Sequence, residues 1–271
     1  MYINEKGQAV PEKTELIQAE AVEKINRTEI RWLGNGGAMI NSRGTVIMID
    51  PVLSGFDMPL LIQVPITENC VPYLDGVLLT HCDNDHYSRK TCRELAPVTG
   101  EFHASCYVAE LLKTELGISG KGHAIGEQFG LGNTTVTLTP AWHNWQNESP
   151  KHHTREFAIE DYCGFWLDTP DGSIWAVGDS RLMEEQLHMP APDAILFDFS
   201  DSRWHIGLEG AEKMAAAYPE TPLILWHWGS VDAPDWKEFN GNPEELCRRI
   251  VNPERVVVLN PGEAFQLNRL K

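Results

Sequence analysis

The sequence is poor in positive charge. It contains 22 lysines and arginines against 39 aspartates and glutamates, a formal net charge of -17. A surface this acidic repels phosphate backbones, so we expect no nucleic-acid partner. The acid excess serves solubility, and a small anionic substrate stays compatible with it only where a metal centre reverses the local field.

Long apolar runs and paired cysteines are also missing. No segment has the length of a membrane span, and the opening residues MYINEKGQAVPEKTEL lack the basic and apolar regions of a signal peptide. The six cysteines are scattered, with no C-x-x-C pair, which favours reduced thiols over disulfides. We therefore expect a cytoplasmic protein with no membrane partner.

The composition that is present is ordinary for a globular protein. The 271 residues are 42% hydrophobic and 9% aromatic, enough for a sizeable core. We find no internal repeat and predict a single domain over residues 1–271. Residues 1–28 are predicted to be a helical extension, because EKTELIQAEAVEKI (Glu12 to Ile25) has helical composition with Leu16, Ala19 and Ile25 on one face.

Short apolar segments bounded by turn residues predict most of the fold. Strands are predicted at IRWL, GAMIN, TVIMID, GVLLT, TTVTLTP, CGFWLD, SIWAVGD, AILFDFS and PLILWHW, with a closing strand pair in RVVVLNPGEAFQL. Helices are predicted at SCYVAELLKTELG, GLEGAEKMAAAYP and NPEELCRRI. Hairpins are too frequent for simple βαβ alternation, so we predict one α/β unit with two sheets and outer helices.

Four of the apolar strands end in a candidate metal ligand. GVLLT leads to His81, TVTLTPAW to His143, SIWAVG to Asp179 and PLILW to His227. The first ending is crowded, because LLTHCDNDHYS also carries Asp83, Asp85 and His86. Strand ends hold side chains rigidly at the open edge of a sheet, which is where reactive groups are presented.

Imidazoles and carboxylates together suit Zn²⁺, Mn²⁺ or Fe. Alternate residues of an extended turn point the same way, so His81 and Asp83 can share one metal while Asp85 and His86 reach a second. Asp179 could bridge the two ions. Two such metals can hold a hydroxide and polarise a carbonyl or phosphoryl oxygen.

These motifs resemble the metallo-β-lactamase superfamily, whose signature is a strand followed by T/S-H-x-H-x-D-H and then a later His, Asp and His. THCDNDH, TPAWH, VGDS and LILWHWGS carry this signature in order. WLGNGGAMINSRGTVIMIDPVL, HIGLEGAEKMAAA and VVVLNPGEAFQL further resemble the branch typified by L-ascorbate-6-phosphate lactonase. The resemblance implies an αββα four-layer sandwich and a metal-dependent hydrolase.

By position, the resemblance implies two metal sets and a base. His81, Asp83 and His143 would hold the first ion. Asp85, His86 and His227 would hold the second, with Asp179 between the two. The resemblance also gives Asp85 the role of holding or deprotonating the nucleophilic water, and places His205 near the site as a group that hydrogen-bonds substrate or protonates the leaving group.

Asp83 departs from the family pattern, which usually has histidine there. A carboxylate adds a negative charge and a harder oxygen donor, so it favours Mn²⁺ or Fe²⁺ over a strict zinc preference. The extra charge also weakens the Lewis acidity of the first ion. Relatives of the flavo-diiron type place a glutamate at this position and hold iron.

Several neighbouring features have a structural and a functional interpretation. Trp142, Trp145, Trp204, Trp226 and Trp228 flank site histidines and are expected mainly to wall the core, with an aromatic rim for substrate as the alternative. The basic segment KHHTR (151–155) could steer an anionic group, although a solvated loop is the simpler interpretation. GNGG (34–37) lacks a phosphate-loop pattern and is predicted to be a tight turn under the site.

The leading hypothesis is a dinuclear metal hydrolase that attacks an ester, lactone or phosphoester, with the lactone of a phosphorylated sugar acid as the class suggested by the resemblance. A phosphodiesterase of the phospholipase-D-like kind is the alternative enzyme. A non-hydrolytic di-metal redox or sensor protein is the alternative class, supported by Asp83. The expected partner is a small molecule, and a homo-oligomer is compatible with the sequence.

Overall fold

The computed structural model describes residues 1–149 and 155–270. A two-stranded hairpin of β1 (Tyr2–Ile3) and β2 (Ala9–Val10) begins the chain, and two seven-stranded sheets follow. The sheets pack face to face with α-helices outside them. The predicted αββα sandwich is therefore confirmed.

The first large sheet, called the N-terminal sheet, is built largely from the first half of the chain. Its strands are β3 (Thr28–Gly34), β4 (Gly37–Ser42), β5 (Thr45–Ile49), β6 (Leu74–Leu79), β7 (Thr99–Ser105) and β8 (Gly120–His123), in that spatial order. The first three are antiparallel neighbours, and β5 to β8 run parallel. Two helices cover this sheet, α1 (Arg89–Leu95) and α2 (Cys106–Leu116).

The second large sheet, called the C-terminal sheet, contains β9 (Gln128–Leu131), β10 (Thr134–Thr139), β11 (Gly164–Thr169), β12 (Gly172–Ala176), β13 (Ala194–Phe197), β14 (Leu223–Leu225) and β15 (Val256–Val257). These strands are neighbours in chain order. The strands from β12 to β15 run parallel. The outer helices on this side are α3 (Gly207–Ala217) and α4 (Pro243–Arg249).

Period-two alternation explains the layers. In β5, Ile47 and Ile49 face the core between the two sheets, whereas Val46 and Met48 face the layer of α1 and α2. Both faces of β5 are therefore apolar, as expected for a strand in a sheet that is buried on both sides. The prediction of α2 from its ends is also confirmed: Ser105 caps its first turn and Gly117 ends it in a left-handed conformation with φ 71°.

Two predictions from the sequence are wrong. No α-helix forms over Glu12 to Ile25, where the described chain has only a 3₁₀ turn at Ala19–Val22 and Leu16 is 54% exposed. The backbone N–H groups of this segment bond other parts of the chain, since Glu15 donates to Pro261 and Ile17 to Pro65. These external partners replace the bonds within one turn that an α-helix requires.

The second error concerns the end of the chain. The predicted strand pair in RVVVLNPGEAFQL forms two strands that are not partners. β15 is an edge of the C-terminal sheet, whereas β16 (Ala264–Gln266) pairs antiparallel with β3 in the N-terminal sheet. The turn between them crosses from one sheet to the other, so each strand extends a different sheet. The prediction of a single domain over residues 1–271 stays a prediction.

Among the described residues, none of the helices has both the length and the apolar character needed to cross a bilayer.

Candidate metal centre

The predicted ligands converge where strands of both sheets end. His81 follows β6 of the N-terminal sheet, and His143, Asp179 and His227 follow β10, β12 and β14 of the C-terminal sheet. These C-terminal strands share one direction, so their carboxyl ends lie at the same edge of that sheet. Of the seven predicted ligands, six are buried and Asp83 is half-buried.

The first group consists of His81, Asp83 and His143. The Oδ2 atom of Asp83 lies 3.2 Å from His81 Nε2 and 3.4 Å from His143 Nε2. Ligand atoms on a tetrahedron with metal bonds of about 2.0–2.1 Å stand about 3.3 Å apart. Both distances to Asp83 match the spacing expected between ligands of one ion, and all three ligand atoms lie within 4.8 Å of one another.

The second group consists of Asp85, His86, Asp179 and His227. His227 Nε2 lies 3.3 Å from Asp85 Oδ2 and 3.4 Å from Asp179 Oδ2. His86 Nε2 lies 3.1 Å from Asp179 Oδ2 and 3.7 Å from Asp85 Oδ2. These separations match the same tetrahedral spacing.

Asp179 lies between the two groups. Its Oδ2 atom is also 3.9 Å from His143 Nε2 and 3.8 Å from His205 Nε2, in addition to its contacts with His86 and His227. One carboxylate oxygen therefore has four imidazole nitrogens within 4 Å. The structure brings all seven predicted ligands together and adds His205 beside them.

Each imidazole is held by its other ring nitrogen. The acceptors facing Nδ1 are Thr80 Oγ1 for His81, Asp50 for His86, the Trp204 carbonyl for His143, the Glu238 carbonyl for His227 and Asp198 for His205. The Thr80 hydroxyl donates to Asp50, so its oxygen accepts from His81. With Nδ1 carrying a proton, Nε2 of each neutral ring offers a lone pair to the common centre.

Buried atoms without partners mark this centre. Within the described residues, His81 Nε2, His86 Nε2 and Asp179 Oδ1 are buried with no hydrogen bond. An unsatisfied buried polar group lowers the stability of the folded protein by about 1–3 kcal/mol. Divalent metal ions would satisfy them, and the set of imidazoles and carboxylates is the chemistry that Zn²⁺, Mn²⁺ and Fe²⁺ bind.

The electrostatics of the centre are strongly coupled. Burial opposes the ionised form of Asp83, yet His81 and His143 hold the pKa of this carboxyl well below its ordinary value. Burial likewise opposes the charged form of His86, but Asp179 and Asp85 raise the pKa of this imidazole well above its ordinary value. A raised pKa favours a proton on His86, so metal binding at this imidazole has to displace that proton.

The turn predicted at GNGG packs against two of the candidate ligands. It joins β3 to β4, and a Cβ atom on Gly36 would lie 2.3 Å from the ring of His86. Only glycine allows this close approach. The neighbouring Asn35 carbonyl accepts from the backbone N–H of His227, which has φ 59°. The turn therefore positions one ligand by packing and another by a hydrogen bond.

A cavity of about 850 Å³ opens over the two groups. Apolar and aromatic side chains form much of its wall, among them Met58, Tyr107, Leu111, Trp145, Phe157, Trp204, Trp236 and Phe239. Seven carboxylate residues also line it, namely Asp57, Asp83, Asp85, Glu115, Asp179, Asp235 and Glu238. Arg89 lines it as well and forms an ion pair with Glu115 at 2.7 Å.

The tryptophans near the ligands divide into two sets. Trp226 and Trp228 are fully buried, and Trp228 stacks on Trp32 with ring centroids 5.6 Å apart. Trp142 packs edge-on against Tyr162 at 5.7 Å. These three wall the core, as expected. Trp145 and Trp204 instead line the cavity, as the aromatic-rim alternative proposed.

The sequence analysis missed the groups that hold the ligands. Asp50 and Asp198 directly follow β5 and β13, so they obey the same strand-end rule that identified the ligands, and that rule could have found them. Gln146, which bonds Asp83, lies in a 3₁₀ turn and carries no such signal. Most of the basic segment 151–155 lies outside the described residues; Arg155 is described and pairs with Asp161.

The four-layer sandwich with paired His/Asp groups at its strand ends defines a metallo-β-lactamase type of fold. The chain belongs to the beta-lactamase superfamily, because a family model described as "Beta-lactamase superfamily domain" matches residues 45–228. That segment contains every predicted ligand. The finer resemblance to the ascorbate-6-phosphate lactonase branch stays a prediction.

Individual relatives agree with this family. The chain is 24% identical over 250 residues to a UPF0173 metal-dependent hydrolase of Pyrococcus furiosus, covering 88% of this chain and 99% of the relative. Its fold is similar to a metallo hydrolase of Ignicoccus hospitalis, with TM-score 0.67, 17% identity and coverage of 90% and 99%. It is also similar to an isothiocyanate hydrolase from Delia radicum gut bacteria, with TM-score 0.71, 15% identity and coverage of 89% and 99%.

Proposed function

We propose that this protein is a metal-dependent hydrolase with a dinuclear centre. His81, Asp83 and His143 would hold the first ion, Asp85, His86 and His227 the second, and Asp179 both. The observation that carries the proposal is the orientation of the imidazoles. Four Nε2 atoms lie within 4 Å of Asp179 Oδ2, and that of His81 faces the neighbouring Asp83 Oδ2. Mn²⁺, Fe²⁺ and Zn²⁺ all fit this donor set.

Bound ions would supply an activated water and a positive charge for the oxygen anion that develops in the reaction. Asp85, itself a member of the second group, lines the cavity and would accept the proton that this water loses. The electron pair of the breaking bond goes to the leaving oxygen, which then needs a proton.

His205 would give that proton. It lines the cavity, and its Nδ1 donates to Asp198 from inside the fold. Burial opposes the ionised form of Asp198, but His205 keeps the pKa of this carboxyl below its ordinary value. Asp198 is therefore a negatively charged acceptor that orients the imidazole, and Nε2 would protonate the leaving group.

The cavity wall suggests an uncharged or weakly charged ester or lactone. Aromatic side chains favour an apolar group or the face of a sugar ring, and the carboxylates of the wall disfavour an anion remote from the ions. The lactone of a phosphorylated sugar acid, suggested by the sequence resemblance, would have to place its phosphate against the ions or Arg89.

Hydrolysis by metal-stripped and metal-restored protein tests the proposal. A panel would contain a p-nitrophenyl ester, a γ-lactone, a phosphorylated sugar lactone and bis-p-nitrophenyl phosphate. We expect Mn²⁺, Fe²⁺ or Zn²⁺ to restore ester or lactone hydrolysis, and Asp179→Asn to abolish it. Turnover of the phosphodiester alone would favour the phosphodiesterase alternative, and no turnover of any compound with two ions bound would contradict the proposal.

A redox or sensor function is a second candidate, because Asp83 replaces an imidazole with a carboxylate in the first group. Hard oxygen ligands favour iron. Anaerobic loading with Fe²⁺ followed by exposure to oxygen distinguishes the two functions. A visible absorption band that bleaches on reduction, without hydrolysis, would support the redox function.

A further inference from the structure

Asp83 is held from behind by two N–H donors. Trp145 Nε1 donates to Asp83 Oδ2 at 2.5 Å, and Gln146 Nε2 donates to Asp83 Oδ1 at 2.7 Å. Both donors lie in the 3₁₀ turn Asn144–Glu148, which directly follows His143. This short segment therefore contains His143, a candidate ligand of the first group, and also the two donors that bond Asp83, another candidate ligand of that group.

The orientation of Gln146 follows from its two neighbours. An ionised carboxylate can only accept hydrogen bonds, so the amide nitrogen of Gln146 has to face Asp83. Its Oε1 then faces Tyr162, whose hydroxyl lies 2.6 Å away and has to donate. Gln146 and Tyr162 are buried, at 0% and 1% exposure, so water does not compete for these bonds. The two hydrogen bonds therefore run in one direction: Tyr162 donates to Gln146, and Gln146 donates to Asp83.

The two carboxylate oxygens of Asp83 face different partners. Oδ2 faces the Nε2 atoms of His81 and His143, whereas Oδ1 is turned toward Gln146. We propose that Gln146, oriented by Tyr162, and Trp145 are positioning residues that hold Asp83 as a one-oxygen ligand of the first ion. The inference rests on the proposed metal centre and concerns residues that the family signature does not contain.

The same bonds offset the charge of Asp83. A carboxylate in place of an imidazole brings an extra negative charge to the ion, which weakens its Lewis acidity. Two N–H donors withdraw part of that charge and fix the rotation of the carboxyl group, so that the second oxygen does not swing toward the ion. Groups behind metal ligands commonly change metal affinity by about 10–100-fold.

Metal binding to the stripped full-length chain tests the proposal. The probe is Mn²⁺, titrated in competition with a chelating dye so that binding at the two groups is resolved as two steps. The step that disappears in His143→Ala is assigned to the first group. Cobalt(II) absorption, which reports ligand geometry, is the second measurement and needs no substrate.

Three variants are compared with a matched control. Gln146→Leu removes the donor to Oδ1, Trp145→Phe keeps an aromatic ring but removes the donor to Oδ2, and Tyr162→Phe removes only the hydroxyl that orients Gln146. Gln8→Leu is the control, because Gln8 is a buried amide whose Nε2 donates to the Val231 carbonyl.

We expect Gln146→Leu to weaken the first step at least about tenfold, Trp145→Phe and Tyr162→Phe to weaken it less, and Gln8→Leu to leave it unchanged. The second step should stay within about twofold in all of them, and the cobalt spectrum should change in the three variants. Normal first-step affinity and an unchanged cobalt spectrum in Trp145→Phe and Tyr162→Phe, with both steps present, would overturn the positioning role alone. A parent protein that binds no metal would overturn the proposed function itself.

Discussion

Replacing Asp50 with asparagine should remove the hydrogen bond that fixes the orientation of the His86 ring, and should thereby weaken metal binding at the second group. Asp50 is fully buried; its Oδ1 accepts from the backbone N–H of Thr80 at 2.8 Å. Its Oδ2 accepts from the Thr80 hydroxyl at 2.5 Å and faces His86 Nδ1 at 2.8 Å. An asparagine has one acceptor oxygen, so whichever way its amide faces, its NH₂ group points at another donor.

The backbone should tolerate this change, since Asp50 has φ 42° and asparagine accepts that conformation as readily as aspartate. The cost therefore falls on the hydrogen bonds. One unsatisfied buried donor costs about 1–3 kcal/mol of unfolding free energy. A ligand imidazole without its partner loses its fixed orientation, which lowers metal affinity by about 10–100-fold.

The assay combines urea unfolding of the metal-free chain with metal titration of the folded chain. Asp193→Asn is the matched control, because Asp193 also accepts a backbone N–H, from Ser173 at 2.7 Å, but does not contact a ligand. We expect both variants to lose stability and only Asp50→Asn to lose affinity in the step assigned to the second group. Unchanged affinity in Asp50→Asn would refute the view that Asp50 sets the orientation of His86.

Three further predictions concern stability and substrate binding. Burial lowers the pKa of His103 to about 4, so the unfolded chain binds this proton more readily, and stability should fall as pH drops from about 6.5 toward 4; His103→Phe should flatten that part of a urea-unfolding profile, and an unchanged slope would contradict the prediction. Trp236, exposed at the cavity and stacked on Phe239, should bind aromatic ester groups, so Trp236→Ala should raise KM about three- to tenfold with little change in Tm; an unchanged KM would speak against this contact. Trp228 is buried against Trp32, so Trp228→Ala should lower the free energy of unfolding of the protein by about 3–5 kcal/mol. A decrease below about 1 kcal/mol, measured by urea unfolding, would contradict a large stabilising contribution from this stack.

Several candidate ligands could be located from the sequence because they follow strands with a clear apolar pattern. His81, Asp179 and His227 occupy such positions, and the strand directions then bring them to one edge. The layers could be predicted for the same reason, since the apolar stretches 46–49 of β5 and 77–79 of β6 have to be covered on both faces.

Other features depend on contacts between distant segments and carry no local signal. The segment from Glu12 to Ile25 has helical composition, but its backbone bonds Pro65 and Pro261. The hold of Gln146 on Asp83 arises only when the turn after β10 folds over the loop after β6. Propensity describes neighbours in the chain, whereas these bonds join residues far apart in it.

Metal content is the most direct test of the central claim that two ions share Asp179. Protein purified without added metal would be analysed by mass spectrometry beside Asp83→His and Asp179→Ala. The account predicts close to two equivalents of Mn or Fe in the parent, a shift toward Zn in Asp83→His and a loss of metal in Asp179→Ala. One equivalent or none in the parent, unchanged by either substitution, would contradict it.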